Sequence, residues 1–177
     1  MKFVPLFILF LMLQNTLTIF NFTNESTIDE WQIVNDGVMG GRSKGYFSLN
    51  DTGHGVFSGT VSLDNNGGFS LVQYRFPGKD VREYSKIVIK IKGDGKDYQF
   101  RVKKDRSDYY SYAFIFSTTK DWQTIEIPFD KMIPQFRGRR LNITKFTGVQ
   151  LEEIAILIGN KKAENFALQI ANISLVK

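Results

Sequence analysis

Hydrophobic and polar residues alternate along most of the chain beyond residue 18. Phe20 and Phe22 flank a polar residue, and residues 56–63 and 69–76 are short runs rich in β-branched and aromatic side chains. Residues typical of turns bound each run. Because successive side chains of a β-strand point to opposite faces of a sheet, this period of two predicts strands along nearly the whole chain.

Residues 87–102 have the clearest pattern of a β-hairpin. Isoleucines at alternate positions from Ile87 to Ile91 share one face of a predicted strand, and the Gly-Asp-Gly sequence at residues 93–95 is typical of a turn. The alternation resumes at Tyr98, which begins the apolar face of the next predicted strand. We therefore expect these two strands to pair side by side.

The second half of the chain continues the pattern. Residues 110–116 carry an aromatic side chain at every second position, and most of these rings are expected in the core. Residues 154–158 form a continuous apolar run that suits a strand buried on both faces. The change of parity between Ile170 and Ile173 predicts a β-bulge. Residues 129–136 offer room for one helical turn at most.

A series of about ten short strands without a convincing helix favours an all-β fold. Within that class, an antiparallel β-sandwich or jelly roll is expected. No repeat or Pro/Ser-rich linker interrupts residues 19–177. We therefore expect those residues to form a single domain.

Residues 1–18 have the outline of a secretory signal peptide. Lys2 precedes an apolar stretch over residues 3–13, and polar residues follow from Gln14. The apolar stretch is shorter than the roughly 20 residues that a transmembrane helix needs. We therefore expect an exported protein, periplasmic or extracellular, with membrane association only if this segment stays uncleaved.

The composition excludes several kinds of chemistry. The chain has no cysteine and a single histidine, His54, so disulfides, thiolate metal sites and multi-histidine metal sites cannot form within one copy. The formal net charge of +5 is a mild bias, and acidic residues interleave with the basic ones. This pattern predicts no nucleic-acid partner.

The carboxylate pairs that glycosidases use are not evident either. Adjacent Glu152 and Glu153 point to opposite faces if their segment is extended, and Asp94 and Asp97 lie in a turn. The glycines of residues 37–41 fit neither the dinucleotide nor the P-loop spacing, and no helix is expected to follow them. We expect no enzyme activity, no catalytic residue, no cofactor and no metal site.

Residues 36–43, here called the first rim loop, are a glycine-rich segment directly after a predicted strand. Its candidate binding residues are Asp36, Met39, Gly40, Gly41, Arg42 and Ser43. Two interpretations remain open. Either Asp36 accepts backbone hydrogen bonds within its own loop while Arg42 pairs with Asp36 or with a carbonyl at a strand end, or the loop presents Met39 and Arg42 to a ligand or partner.

Two further loops and one strand residue complete the candidate set. The second rim loop, residues 66–69, contributes Asn66, Gly67, Gly68 and Phe69. The third rim loop, residues 136–140, contributes Phe136, Arg137, Gly138 and Arg139. The second rim loop also has a structural interpretation as a tight turn. The third rim loop has one as a loop that ion pairs pin to the sandwich. Arg101 is expected opposite the core face of its strand, either as a cross-strand partner or on a concave binding surface.

The distinctive motifs occur in a fixed order, which is the first rim loop, the second rim loop, residues 93–101, Trp122, residues 127–129 and the third rim loop. Together, over residues 18–177, they resemble the complex I intermediate-associated protein 30 family, as a bacterial exported member. The resemblance implies a galactose-binding-like β-sandwich, related in shape to carbohydrate-binding modules. Mitochondrial relatives are assembly chaperones for respiratory complex I, and the resemblance implies no catalytic residue.

The sequence departs from the family pattern in two places. Residues 71–73, Leu-Val-Gln, stand where relatives tend to have a small residue and an arginine, so a charge on the same face as Arg101 is missing. Residues 162–166 replace a glycine-containing approach to the last strand.

The leading hypothesis is a non-catalytic binding or assembly module whose three rim loops meet as one surface for a protein partner. The alternative is a carbohydrate-binding module that uses Trp31 or Tyr109 with Arg101 on a concave face. Of the neighbours Tyr109 and Tyr110, Tyr109 is the one expected to face solvent. An unrecognised hydrolase is a third alternative, because a fold does not determine a function.

Overall fold

The computed structural model describes residues 15–177, apart from the side chains of residues 38 and 39. Thirteen strands occupy most of this described part. Their bounds are β1 (Thr16–Asn21), β2 (Trp31–Asn35), β3 (Lys44–Leu49), β4 (Gly55–Val61), β5 (Ser70–Asp80), β6 (Lys86–Lys92), β7 (Asp97–Lys103), β8 (Ser111–Ser117), β9 (Trp122–Pro128), β10 (Ile133–Phe136), β11 (Arg139–Arg140), β12 (Gln150–Ile158) and β13 (Glu164–Val176).

The strands form two antiparallel sheets. The six-stranded sheet has the order β3-β4-β13-β6-β9, with β1 also paired to β13, and the seven-stranded sheet has the order β11-β10-β8-β7-β12-β5-β2. This architecture confirms the expected all-β antiparallel sandwich. Helical structure in the described part is limited to single 3-10 turns at Asp36–Met39, Asp64–Asn66 and Phe129–Lys131. The first of these lies within the first rim loop, and strand β3, not a helix, follows that loop.

None of the helical segments among residues 15–177 has the length and apolar character needed to cross a membrane.

The predicted hairpin of residues 87–102 is wrong. Strand β6 pairs with β13 and β9 in the six-stranded sheet, whereas β7 pairs with β8 and β12 in the seven-stranded sheet. Ile87, Ile89 and Ile91 and the apolar face of β7 are all buried between the sheets. Both strands therefore turn their apolar faces toward one interior, and an alternating pattern identifies those faces without identifying the neighbouring strand.

Asp94 holds the crossover between the two sheets. Its carboxylate accepts hydrogen bonds from the Tyr98 hydroxyl at 3.2 Å and from the Ala167 backbone N–H at 2.9 Å. Tyr98 belongs to β7 and Ala167 to β13, so one carboxylate bonds to both sheets. Lys96 adds an ion pair with Asp94 at 2.9 Å. The Gly-Asp-Gly segment therefore serves an inter-sheet connection rather than a hairpin turn.

The core lies between the two sheets and is almost wholly apolar. Phe57, Ile89 and Phe100 are fully buried within it. Of the predicted aromatic stripe, Tyr112 and Phe116 are buried, as expected for core residues. Large aromatic and branched side chains supply the hydrophobic stabilisation that holds such a sandwich together.

The predicted bulge is confirmed in β13. Its pairing with β6 shifts between Ile170 and Asn172. The first part of β13, from Glu164 to Ile170, pairs with β4, and its last part pairs with β1. The bulge therefore lies where β13 changes its neighbour on one side.

Strand β1 begins at Thr16, which lies opposite Val176 of β13. The predicted signal peptide falls mostly on residues 1–14, which lie outside the described residues. Its expected boundary after Thr18 stays a prediction, and cleavage there would remove the first half of β1.

Candidate functional site

The Asp36 carboxylate ties the first rim loop to the second. It is buried, with 6% of the residue exposed. It accepts hydrogen bonds from the backbone N–H and the hydroxyl of Ser43, from the Gly68 N–H at 2.7 Å and from the Phe69 N–H at 3.3 Å. A carboxylate that accepts several such bonds fixes the backbone around it. Asp36 therefore accepts backbone hydrogen bonds within its own loop, as the structural interpretation predicted, and it also accepts them from the second rim loop.

These hydrogen bonds set the ionisation of Asp36. Burial by itself raises the pKa of this carboxyl, but the bonds from Ser43, Gly68 and Phe69 together outweigh burial and lower the pKa below its usual value. Asp36 is therefore ionised at neutral pH.

We expect Asp36 to contribute stability that depends on pH. Because its pKa is lower in the folded chain than in the unfolded chain, the contribution is complete above the unfolded pKa of 3.8 and is lost as the pH falls through the folded value. Urea unfolding of wild type and Asp36→Asn between pH 3 and pH 7 measures it. The difference in unfolding free energy between wild type and Asp36→Asn should be constant above about pH 5 and should become smaller below about pH 4. A difference that grows on acidification would contradict this.

The structure explains why two positions of the first rim loop are glycines. Gly40 has a φ of +84°, a left-handed conformation that residues with a Cβ resist. A Cβ on Gly41 would overlap the Asp36 carboxylate. The glycines therefore allow the tight approach that the Asp36 hydrogen bonds require.

The remaining residues of the first two loops are placed differently. Arg42 is exposed and forms an ion pair with Asp64 at 3.7 Å, rather than with Asp36, which was one of its two predicted structural partners. The side chain of Met39 lies outside the described residues. Asn66 adopts a φ of +60° in the turn before Gly67, in agreement with a tight turn in the second rim loop.

A cleft of about 400 Å³ lies on the outer face of the seven-stranded sheet. It brings together six of the predicted site residues, which are Gly68, Phe69, Arg101, Phe136, Arg137 and Gly138. The second and third rim loops thus meet Arg101 at one site. None of the described side chains of the first rim loop lines the cleft, but Asp36 connects that loop to the second.

The strand register arranges the outer face of the seven-stranded sheet, which includes the floor of the cleft, in rows, because paired residues of neighbouring strands face the same side. The middle row is Gln32, Gln73, Ala155, Arg101 and Ala113. The apolar row is Val34, Leu71, Leu157, Gln99 and Ile115. The charged row is Arg75, Glu153, Lys103 and, by the same parity, Ser111 and Gln135.

Arg101 lies in the middle row between Ala155 and Ala113. Alanines 155 and 113 flank it on the two adjacent strands, so short side chains leave space beside its guanidinium. Its Nε and Nη2 donate to the Gln99 side-chain oxygen at 3.2 Å and 2.8 Å. Burial lowers the pKa of Arg101 below its ordinary value, so the group is desolvated yet charged at neutral pH. No acid of the described chain forms an ion pair with it.

Glu153 is buried in the charged row and is already neutralised. Its carboxylate accepts a hydrogen bond from Arg75 Nε at 2.7 Å, and Lys103 Nζ lies 3.9 Å away. The Arg75 bond links β5 to β12 across the sheet. The cleft therefore keeps a net positive charge near Arg101.

Aromatic side chains close one end of the cleft. Tyr109 and Phe136 meet edge to face, with ring centroids 5.2 Å apart, and the Arg137 guanidinium lies 5.3 Å from the Phe136 ring centre. Tyr109 is 65% exposed, which confirms that it is the one facing solvent. A hydrogen bond with Tyr112 and partial burial raise the pKa of Tyr110 to about 12. Tyr110 therefore remains an uncharged phenol in the cleft.

Trp31 does not belong to this site. It is 6% exposed and packs between Tyr74 and Phe47, with ring centroids 5.0 Å apart in both pairs. The alternative that used Trp31 as a sugar-stacking platform is wrong for this residue, because β2 turns it into the inter-sheet core. The carbohydrate-binding alternative therefore rests on Tyr109 with Arg101.

Several cleft residues were missed from the sequence. Gln73, Gln99 and Glu153 are polar residues at outward positions of strands β5, β7 and β12. Parity alone predicts their outward direction, as it did for Arg101. Their meeting depends on strand order, which the alternation does not contain.

The cleft offers hydrogen-bond donors and acceptors, positive charge and apolar contact surface. Among residues 15–177, no group of three or more histidines, aspartates or glutamates is placed to hold a metal ion. The arrangement is suited to binding a ligand that combines an acidic group with apolar groups.

Comparison with solved structures identifies similar sandwiches. The family 11 carbohydrate-binding module of a cellulosomal cellulase of Clostridium thermocellum matches with a TM-score of 0.67 and 19% identity, covering 92% of this chain and 94% of that one. The same family of module, in complex with a β-1,3-1,4-mixed-linked tetrasaccharide, matches with a TM-score of 0.66 and 20% identity, covering 91% and 95%. At these identities the likeness shows the fold alone.

Comparison of sequences identifies the family. A Drosophila melanogaster protein, complex I intermediate-associated protein 30, mitochondrial, is 25% identical over 146 residues, which is 70% of this chain. The match spans 49% of that relative's length. The model of the complex I intermediate-associated protein 30 family matches residues 20–170, which include the rim loops, the crossover and the cleft. The chain belongs to the complex I intermediate-associated protein 30 family.

Proposed function

We propose that the chain is a non-catalytic binding module that holds a protein partner in the cleft of its seven-stranded sheet. The proposal rests on one observation. The second and third rim loops converge with Arg101 around a single cleft of about 400 Å³. A rigid sheet that positions loops and outward side chains in this way is a common basis for recognition.

The choice of a protein partner follows from the family. The name of the Drosophila relative describes association with an intermediate of complex I, which is a protein assembly. Sequence relationship carries more functional information than a shared fold. We therefore place protein binding before carbohydrate binding, and we infer no particular partner.

Site-specific photo-crosslinking tests this function. A photoreactive amino acid at position 115 would stand on the cleft face, where Ile115 is 60% exposed and pairs with Gln99. The same amino acid at position 90 is the control, because Lys90 is exposed on the other sheet. In extracts of the source cells, we expect a discrete protein adduct from position 115 and none from position 90. Adducts of equal yield from both positions, or none from position 115, would contradict the proposal.

Carbohydrate binding is the second candidate, and one feature of the cleft favours it. Exposed Tyr109 and Phe136 line the same cleft as the amide side chains of Gln73 and Gln99, a combination that suits sugar rings and hydroxyls. Affinity electrophoresis in gels containing mixed-linkage β-glucan tests it. Retardation of wild type that Tyr109→Ala abolishes would support this candidate, and unchanged mobility in a panel of polysaccharides would eliminate it.

We also propose that the protein is exported, on the basis of the apolar stretch at residues 3–13. Cleavage before Thr16 would keep β1 whole in its pairing with β13. N-terminal sequencing of the mature protein tests this. Export predicts a mature chain that lacks residues 3–13, and retention of Met1 would contradict it.

A further inference from the structure

The charge of Arg101 is left without a counter-ion inside the protein. Its guanidinium is desolvated, as its lowered pKa reflects, and it donates to the neutral Gln99 side chain rather than to a carboxylate. A partly buried cation gains more from an added carboxylate than an exposed one does, because water competes less for it. The short side chains of Ala155 and Ala113 leave room for such a group beside Arg101.

The rest of the cleft reinforces the preference for an anion. The charged residues that line it are Arg101, Lys103, Arg137 and Glu153. The sole acid among these four, Glu153, is held by Arg75 and Lys103. Arg137 forms no ion pair with any acid among residues 15–177 and lies over the Phe136 ring. The cleft therefore presents uncompensated positive charge, which attracts an acidic ligand and orients it.

The apolar row distinguishes between kinds of acidic ligand. Val34 is 37% exposed and Ile115 is 60% exposed, and Leu71 lies in the same row. Aliphatic side chains on a surface gain most by covering other apolar groups, whereas a sugar covered with hydroxyls would lose hydrogen bonds to water there. An acidic peptide with aliphatic side chains matches both the charge of the middle row and the apolar row beside it.

The dimensions of the sheet set the length of such a peptide. The middle row runs from β2 to β8 through β5, β12 and β7, so it crosses five strands. At about 4.8 Å between strands this is a distance of about 19 Å, which an extended peptide covers with about six residues.

We propose that the cleft binds an extended acidic segment of a protein partner, with one aspartate or glutamate carboxylate on Arg101 and aliphatic side chains on the row from Val34 to Ile115. This rests on the proposed function and specifies the chemistry of the partner. The middle row then supplies charge-assisted hydrogen bonds, and the apolar row supplies contact area.

Binding of a short labelled peptide of alternating glutamate and leucine, followed by fluorescence anisotropy, tests the proposal. We expect saturable binding that weakens about tenfold in Arg101→Gln, because one charge-assisted contact is lost. The matched control, Lys90→Gln, makes the same change of charge on the opposite sheet and should alter the dissociation constant by less than about twofold. The same peptide with glutamine in place of glutamate should bind at least about tenfold more weakly.

A second variant guards against a folding defect. Val34→Asp adds a negative charge at an exposed position of the cleft and should weaken the acidic peptide, while its urea midpoint should stay near that of wild type. Equal binding of the acidic peptide by wild type, Arg101→Gln and Val34→Asp would overturn the proposal. Competition decides the ligand class, because displacement of the peptide by polygalacturonate or mixed-linkage β-glucan at lower concentration than by unlabelled peptide would also overturn it.

The two proposals fail in different ways. If position 115 crosslinks a protein in wild type and equally in Arg101→Gln, protein binding stands and the acidic-segment inference fails. If position 115 crosslinks no protein, the proposed function itself fails, whatever the peptide measurements give.

Discussion

Replacing Asp36 with alanine should lower the free energy of unfolding by about 4 kcal/mol, since buried donors left without an acceptor cost about 1–3 kcal/mol each. The substitution removes the acceptor of the Ser43, Gly68 and Phe69 N–H groups and of the Ser43 hydroxyl. Urea unfolding followed by tryptophan fluorescence measures the change, because Trp31 is buried in the aromatic cluster between the sheets.

Asp64→Ala is the matched control for this experiment. Asp64 belongs to the adjoining segment, but its side chain is 63% exposed and pairs with exposed Arg42 at 3.7 Å. Exposed pairs contribute little, so this variant should lose less than about 1 kcal/mol. Equal losses in Asp36→Ala and Asp64→Ala would show that Asp36 does not hold the two rim loops together.

Asp94→Ala should have the second largest effect, a loss of about 3 kcal/mol. Without the carboxylate, the buried Tyr98 hydroxyl loses its acceptor at 3.2 Å, and the Ala167 N–H loses its acceptor at 2.9 Å. Since these two donors belong to different sheets, the crossover should loosen as well. Hydrogen exchange of the Ala167 amide reports this locally, and its protection should fall more than that of amides in β12.

The control for Asp94 is Asp121→Ala, in an exposed connection near the same end of the six-stranded sheet. The Asp121 carboxylate forms no hydrogen bond or ion pair within the part of the chain that the structure describes. Its removal should change the unfolding free energy by less than about 0.5 kcal/mol. An Asp94→Ala variant as stable as Asp121→Ala would refute the inter-sheet role of Asp94.

The alternating pattern was enough to predict the strands and their faces. It placed Ile87 to Ile91 in the core, directed Arg101 outward and located the bulge between Ile170 and Ile173. These properties are local, because each follows from the direction in which successive side chains of one strand point. Residues close in sequence therefore sufficed for them.

The pairing of strands was not predictable in the same way. A turn-forming Gly-Asp-Gly sequence fits a hairpin, but the same residues also fit a crossover in which Asp94 bonds to Tyr98 and Ala167. The choice depends on where β13 and β12 lie, and these strands are more than fifty residues further along the chain. Non-local contacts of this kind have no signature in the segment itself.

The candidate site shows the same division. Arg101, Phe136 and Arg137 were recognised one by one, from residue type and loop composition. Gln73, Gln99 and Glu153 were missed, since each is an ordinary polar residue until strand order brings them into adjoining rows. Binding sites on sheets are therefore harder to predict than the strands that form them.

The pairing of β1 with β13 has a practical consequence for handling the protein. Thr16 and Val176 are opposite each other, and directly paired residues of antiparallel strands have Cα atoms only about 5 Å apart. A short glycine-rich linker would therefore suffice to cyclise residues 15–177 or to permute the order of the chain. Strands β1 and β13, at the two ends of the described residues, belong to the six-stranded sheet, so attachment of residues 15–177 to a bead or sensor chip through either end would leave the opposite sheet open to analytes in solution.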